Sequence, residues 1–167
     1  MSESTATTDW ESRLATLMPF FGHRNWIVVA DSAYPAQSRV GIETIVAAAD
    51  QIALLRKVVS VIVGSGHIRA NVYLDRELDF VLERDAPGIA SYRRELEALL
   101  DGSDVSRVPH EKKIDKLDQS AQLFRILIIK TKMTIPYTSV FFELDCGYWH
   151  AEAEQRLRQS MLQAEMR

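Results

Sequence analysis

Apolar positions along this chain follow two periodicities that take turns. Trp10, Leu14, Leu17 and Met18 recur at helical spacing, and Asp9 ahead of them suits a cap, so a helix is expected from Asp9 through Phe21 with Gly22 as its stop. Trp26 to Ala30 is then a continuous apolar run of strand length, the pattern of a strand covered on both faces, and Pro35 ends the segment. Val40 to Ala47 alternates enough to be a second strand. Ile52, Leu55, Val59 and Ile62 mark a helix from Asp50 to Val63, broken by Gly64-Ser65-Gly66. Ile68 to Leu74 supplies a third strand, and Pro87-Gly88 precedes a helix from Ile89 to Leu100. Val105 to Val108 reads as a short strand and Glu111 to Gln122 as a helix. Leu123 to Ile129 and Val140 to Leu144 are two more apolar strands, separated by a break at Pro136. Tyr148 to Met166 returns to helical spacing through Trp149, Ala153, Leu157 and Met161.

Strands alternating with helices predict a single α/β domain, three-layered α/β/α, and the late pair of strands around Pro136 predicts a mixed sheet. The expected organisation is a flexible N-terminus over residues 1–8, a domain over 9–147 and an additional C-terminal helix over 148–167. The pair of glycines at 64 and 66 invites a phosphate-loop reading. Such a loop follows a strand and opens a helix, however, and here the order is reversed, so a helix end and turn is the better assignment.

Bulk properties narrow the function. The 167 residues are 47% hydrophobic and 26% charged, as in an ordinary globular protein. A net charge of −3 gives no concentrated basic face, so a nucleic-acid partner is not expected. The single Cys146 forms no internal disulfide, which fits a reducing, cytoplasmic setting. Neither a signal peptide nor an apolar run long enough to span a bilayer is visible, and no membrane association is expected.

The candidate chemistry begins with the histidines, which are His23, His67, His110 and His150. None sits in a zinc-binding spacing, so no metal is expected. No Gly-x-Ser-x-Gly elbow occurs, and Cys146 reads as an inert thiol after an apolar strand. His23 precedes the first strand and Asp31 terminates it. The pair borders one pocket only if His23 lies on a loop that returns toward Asp31, or if another subunit completes the site, because the length of a strand otherwise separates the two. A helix-terminal histidine and a turn-forming aspartate is the plain alternative. Tyr137, Ser139, Phe141 and Glu143 alternate along the last strand, which lines up a phenol, a hydroxyl and a carboxylate on one face, or else makes a solvent-facing edge.

These short motifs, in their order, resemble the D-ribose pyranase and L-fucose mutarotase family. The shared features are Gly22-His23 after the first helix, Asp31-Ser32-Ala33-Tyr34-Pro35 after the first strand, His110-Glu111 before a helix, and Pro136-Tyr137-Thr138-Ser139-Val140-Phe141-Phe142 opening the last strand. The order agrees over roughly Trp10 to Cys146. Ser139 stands where the family has a sugar-binding Asn, Thr131-Lys132-Met133 replaces the Thr/Ser-Gly-Glu stretch before Pro-Tyr, and the helix after Cys146 has no family counterpart.

The resemblance implies the pyranase-type mixed α/β fold, a monosaccharide substrate, a ring-shaped homo-oligomer and reversible opening of a cyclic hemiacetal without cofactor. It implies His23 as principal acid/base, Asp31 as its orienting partner or a hydroxyl acceptor, and Tyr137 on the sugar ring. His110, Ser139 and Glu143 are the substrate-binding candidates. Two alternatives keep the fold: a sugar- or metabolite-binding module without turnover, and an assembly protein that uses its added helix.

Overall fold

The computed structural model describes residues 3–167, with side chains from Asp9 onward. Five helices and six strands follow in the order α1 (Glu3–Leu17), β1 (Trp26–Ala30), β2 (Ile42–Val46), α2 (Gln51–Gly64), β3 (Ile68–Asp75), α3 (Ile89–Leu99), β4 (Val105–Val108), α4 (His110–Ser120), β5 (Ile126–Lys130), β6 (Val140–Cys146) and α5 (Ala151–Glu165). The strands form one sheet in the order β2-β5-β1-β6-β3-β4. Strands β2, β5 and β1 are parallel, as are β3 and β4, and β6 runs against both of its neighbours. The sheet is therefore mixed, with one reversed strand near its centre. The C-terminal ends of the other five strands and the start of β6 consequently meet at one edge, where open α/β sheets place their ligands.

The alternation of each strand sorts its side chains between two layers. Ile27, Val29, Leu74, Val140 and Phe142 pack with Trp10 and Leu14 of α1, Leu54, Leu55 and Val58 of α2, and Ile89 and Leu96 of α3. Trp26, Val28, Ile126, Ile128 and Phe141 pack on the other face against Leu117 of α4 and Tyr34. This is the three-layer α/β/α arrangement expected of the pattern. Every residue of β1 is buried, which is why its sequence reads apolar without a break; each such aliphatic side chain contributes about 1.5–3 kcal/mol on burial. No residue of α5 is buried, so that helix adds nothing to either core.

Several expected boundaries move. Helix α1 starts at Glu3, so Asp9 lies inside it instead of capping it; Met1 and Ser2, the beginning of the expected flexible stretch, lie outside the described residues. Pro19 forces the last turn into a 3-10 helix, Met18–Phe20. Asp50 does cap α2, its carboxylate accepting from the Ala53 N–H at 3.0 Å. Gly64 is the last residue of α2 and Gly66 lies in the turn after it, as the helix-end reading expects. Leu123 to Arg125 form a connecting loop and not strand, because Leu123 is exposed and pairing starts only at Ile126. Strand β3 continues one residue past Leu74, to Asp75. That extra residue places a carboxylate at the edge where the strand C-termini meet.

Candidate functional site

Strand register builds the site. Val29 pairs with Val140, and Val140 with Leu74. One step further toward the edge, Ala30, Ser139 and Asp75 therefore stand in line. Asp31 follows Ala30 and is clasped by Ser139, whose hydroxyl donates to Asp31 Oδ1 at 2.8 Å while its oxygen lies 3.3 Å from the Asp31 N–H. On the far side of β6, the buried Asp75 has Oδ2 2.7 Å from Nδ1 of His110, the first residue of α4. The His110 N–H in turn meets both oxygens of Glu77, at 3.2 and 3.1 Å, which satisfies an otherwise orphaned helix-terminal donor. Two tyrosine rings meet the imidazole edge-on, Tyr34 at 6.0 Å and Tyr137 at 5.6 Å between centroids.

Tyr137 adopts a left-handed backbone, φ 60°. A non-glycine residue there costs on the order of 1–3 kcal/mol and persists only where its surroundings hold it. The surroundings are a buried polar knot beneath the site. Gln51 of α2 donates to the Tyr92 hydroxyl (2.9 Å) and the Thr138 carbonyl (2.5 Å), Tyr92 donates to the same carbonyl (2.6 Å), and the Thr131 hydroxyl lies 2.8 Å from Gln51 Oε1. The knot ties the ends of β1 and β5 and the start of β6 to α2 and α3.

Burial pushes the Asp75 carboxyl upward, an effect opposed by its bond to His110. That bond is the main cause raising His110, against desolvation. Burial also raises the Tyr34 phenol, with Asp75 and Asp31 adding to it. One turn along α4, Lys113 is buried with Nζ 3.4 Å from the Tyr73 ring centroid and 5.1 Å from that of Trp26. Desolvation lowers it to about 8, while nearby Glu143 and Asp75 favour its charged form. The edge thus combines a carboxylate at Asp31, an imidazole biased toward protonation, and aromatic walls. That combination suits exchange of protons with ligand hydroxyls.

The sequence-derived candidates divide between the two ends of the sheet. Asp31, Tyr137, Ser139 and His110 come together at the edge just described. His23 and Glu143 do not join them. Strand β1 separates His23 from Asp31 by roughly 13 Å or more, and His23 lies on no returning loop: its Nδ1 is 2.8 Å from Asp145 and its Nε2 accepts from Arg24 at 3.2 Å. Glu143 pairs across from Trp26, at the opposite end of β1 from Asp31, and lines with His23, Arg24, Lys116 and Phe124 a groove of about 410 Å³. Ser139 immediately precedes β6, where the last strand is expected to open, yet it is fully buried, so its hydroxyl serves Asp31. Phe141, expected to share a face with Tyr137, Ser139 and Glu143, belongs to the core.

Asp75 at the edge, Gln51 beneath it and the buried Lys113 over Tyr73 and Trp26 are polar groups the pattern did not reveal. Asp75 carried the same signal as Asp31, a carboxylate immediately after an apolar strand. Gln51 and Lys113 read as helix surface, and their burial follows from packing alone.

No family model matches the sequence, and a search of curated proteins finds no relative. Solved structures do share the fold. RbsD of Bacillus subtilis complexed with D-ribose aligns at TM-score 0.55 and 19% identity, over 83% of this chain and 94% of that one. The fucose mutarotase of Streptococcus pneumoniae in complex with L-fucose aligns at TM-score 0.53 and 19% identity, over 80% and 91%. FucU from Bifidobacterium longum aligns at 0.54 and 12% identity, over 80% and 94%. The chain has the fold of these proteins, as its motif order implied.

Proposed function

We propose that this protein is a monosaccharide isomerase of the mutarotase or pyranase type, acting at the Asp31–His110–Tyr137 edge. The observation that carries the reading is the convergence of a carboxylate and an imidazole at the strand-end edge of a fold shared with ribose- and fucose-bound proteins. At this edge His110 takes the acid/base role that the motif order suggested for His23, because within one chain the length of β1 separates His23 from Asp31.

In the proposed cycle the His110 imidazolium gives a proton to the ring oxygen and Asp31 removes the proton of the anomeric hydroxyl. The bond between the anomeric carbon and ring oxygen breaks, leaving an open-chain aldehyde. Rotation and the reverse transfers close the ring on its other face, or through another hydroxyl, and return both protons. Acid–base help of this kind contributes about 10²–10⁴-fold. Tyr137, with its ring partly exposed beside His110, packs on the sugar.

Saturation transfer between anomers, recorded by NMR across a panel of pentoses, hexoses and 6-deoxyhexoses, tests this. The parent protein accelerates exchange of at least one sugar, His110→Ala abolishes it and His23→Ala retains it. No acceleration for any sugar refutes the isomerase. A second reading, a binding module without turnover, is favoured by the Ser139–Asp31 hydrogen bond, which already occupies part of the candidate base. Saturable sugar binding without exchange identifies it.

A further inference from the structure

Asp75 lies outside the residues that the motif order singles out, and its surroundings are unusual for a carboxylate. The side chain is wholly buried, Oδ2 meets only His110 Nδ1, and Oδ1 has no hydrogen-bond partner among the described residues. Burying a carboxylate so thinly satisfied is unfavourable, and a strand can end without one. What an aspartate supplies here, and an apolar residue or a lone hydroxyl does not, is an acceptor of fixed direction for a ring N–H.

The rest of the imidazole is equally confined. The His110 backbone is held by Glu77, and its ring is met edge-on by Tyr34 and Tyr137. With Nδ1 committed to Asp75, Nε2 is the nitrogen left for a ligand. We propose that Asp75 is the positioning residue of this site, holding His110 in the Nδ1–H tautomer so that Nε2 alone exchanges protons with a bound hydroxyl. This inference rests on the placement of the active edge at His110, but its core claim concerns the ring and holds whichever ligand binds.

Other charged groups face the pair. Asp31 follows β1, Glu77 follows β3, and Glu111 and Lys113 lie on α4, with the Tyr34 and Tyr137 phenols alongside. Asp75 is the one that bonds to the ring itself, so its removal has a signature that theirs lack. Both members titrate as a unit, and the spectra report that unit.

The test is long-range ¹H–¹⁵N NMR of the imidazole nitrogens in the full-length protein, from pH 5 to 9, with His110 signals assigned by their loss in His110→Gln. In the parent, the neutral form of His110 shows a protonated Nδ1 and an unprotonated Nε2. In Asp75→Asn the titration midpoint of His110 moves down, because the charge favouring imidazolium is gone, and in Asp75→Ala the neutral ring shifts to the Nε2–H tautomer. Anomer exchange falls roughly 10²-fold in Asp75→Asn, the lower end of acid–base help, with the loss in kcat and not KM. A parent spectrum with neutral His110 in the Nε2–H form overturns the proposal without any variant, so misfolding of a mutant does not shield it. An unmoved midpoint and tautomer in a folded Asp75→Asn protein overturns it equally. If the parent exchanges no sugar, the isomerase reading fails while the spectra still decide the role of Asp75.

Discussion

Replacing Gln51 with leucine tests whether the buried knot holds the site. Gln51 is almost fully buried and makes three hydrogen bonds, to Tyr92, Thr138 and Thr131. Each nets about 0.5–1.5 kcal/mol, which brackets the loss at about 1.5–4.5 kcal/mol. The low end applies, because the partners are not orphaned. The Thr138 carbonyl keeps the Tyr92 hydroxyl, and the Thr131 hydroxyl keeps the Ala30 carbonyl at 3.1 Å while accepting from the Met133 N–H at 3.2 Å. Leucine also fills most of the glutamine's volume with apolar surface. The expected cost is about 2 kcal/mol, a drop in Tm of about 4–8 °C for a chain of this size. Urea denaturation supplies the free energy and a thermal scan the midpoint. Gln51→Glu, which keeps the shape but sets a carboxylate against the Thr138 carbonyl, costs more than Gln51→Leu. A Gln51→Leu protein within about 0.5 kcal/mol of the parent, the range of an ordinary surface change, refutes the claim that this knot braces the β1, β5 and β6 termini.

Three further outcomes follow from the same geometry. The folded-state pKa of His110 is raised, so its pairing stabilises fully below the unfolded value of about 6.5 and is lost as pH rises through the folded value; the Tm gap between the parent and His110→Gln is therefore widest near pH 5.5 and narrows toward pH 9, and a gap that widens over that range contradicts the pairing. Lys113 has the opposite sign, its pKa being lowered to about 8 by burial, so Lys113→Met gains stability relative to the parent as pH falls from about 10 to 7, and a flat difference in Tm across that range would count against the burial of the ammonium. Deleting 149–167 leaves Tm within about 2–4 °C of the parent, because no residue of α5 is buried and Trp149 before it is exposed; we expect the apolar residues Trp149, Leu157 and Met161 to pack on a neighbouring copy, so sedimentation shows a smaller assembly after the deletion, and a large loss of Tm in an unchanged oligomer reverses both expectations.

Local pattern determined much of this protein. The unbroken apolar run at Trp26–Ala30 reads as a strand covered on both faces, Asp50 before Ile52 marked the start of α2, and the motif order singled out Asp31, His110 and Tyr137, which meet at one edge, together with His23, which does not join them. Each of those signals is carried by neighbours within a turn or a few strand residues. What the tertiary structure alone decided are relations between distant segments. Asp75 reaches His110 because β3 pairs parallel to β4, whose end leads directly into α4, and no periodicity near residue 75 or 110 encodes that pairing. His23 stays with Asp145 because the length of β1 holds it at the far end of the sheet and the antiparallel run of β6 brings Asp145 alongside. Lys113 and Gln51 look like surface residues in sequence, since a polar side chain on a helix shows its burial only when the sheet closes over it. Side-chain chemistry and spacing set which elements form, whereas strand order and register set which of their polar groups share a site.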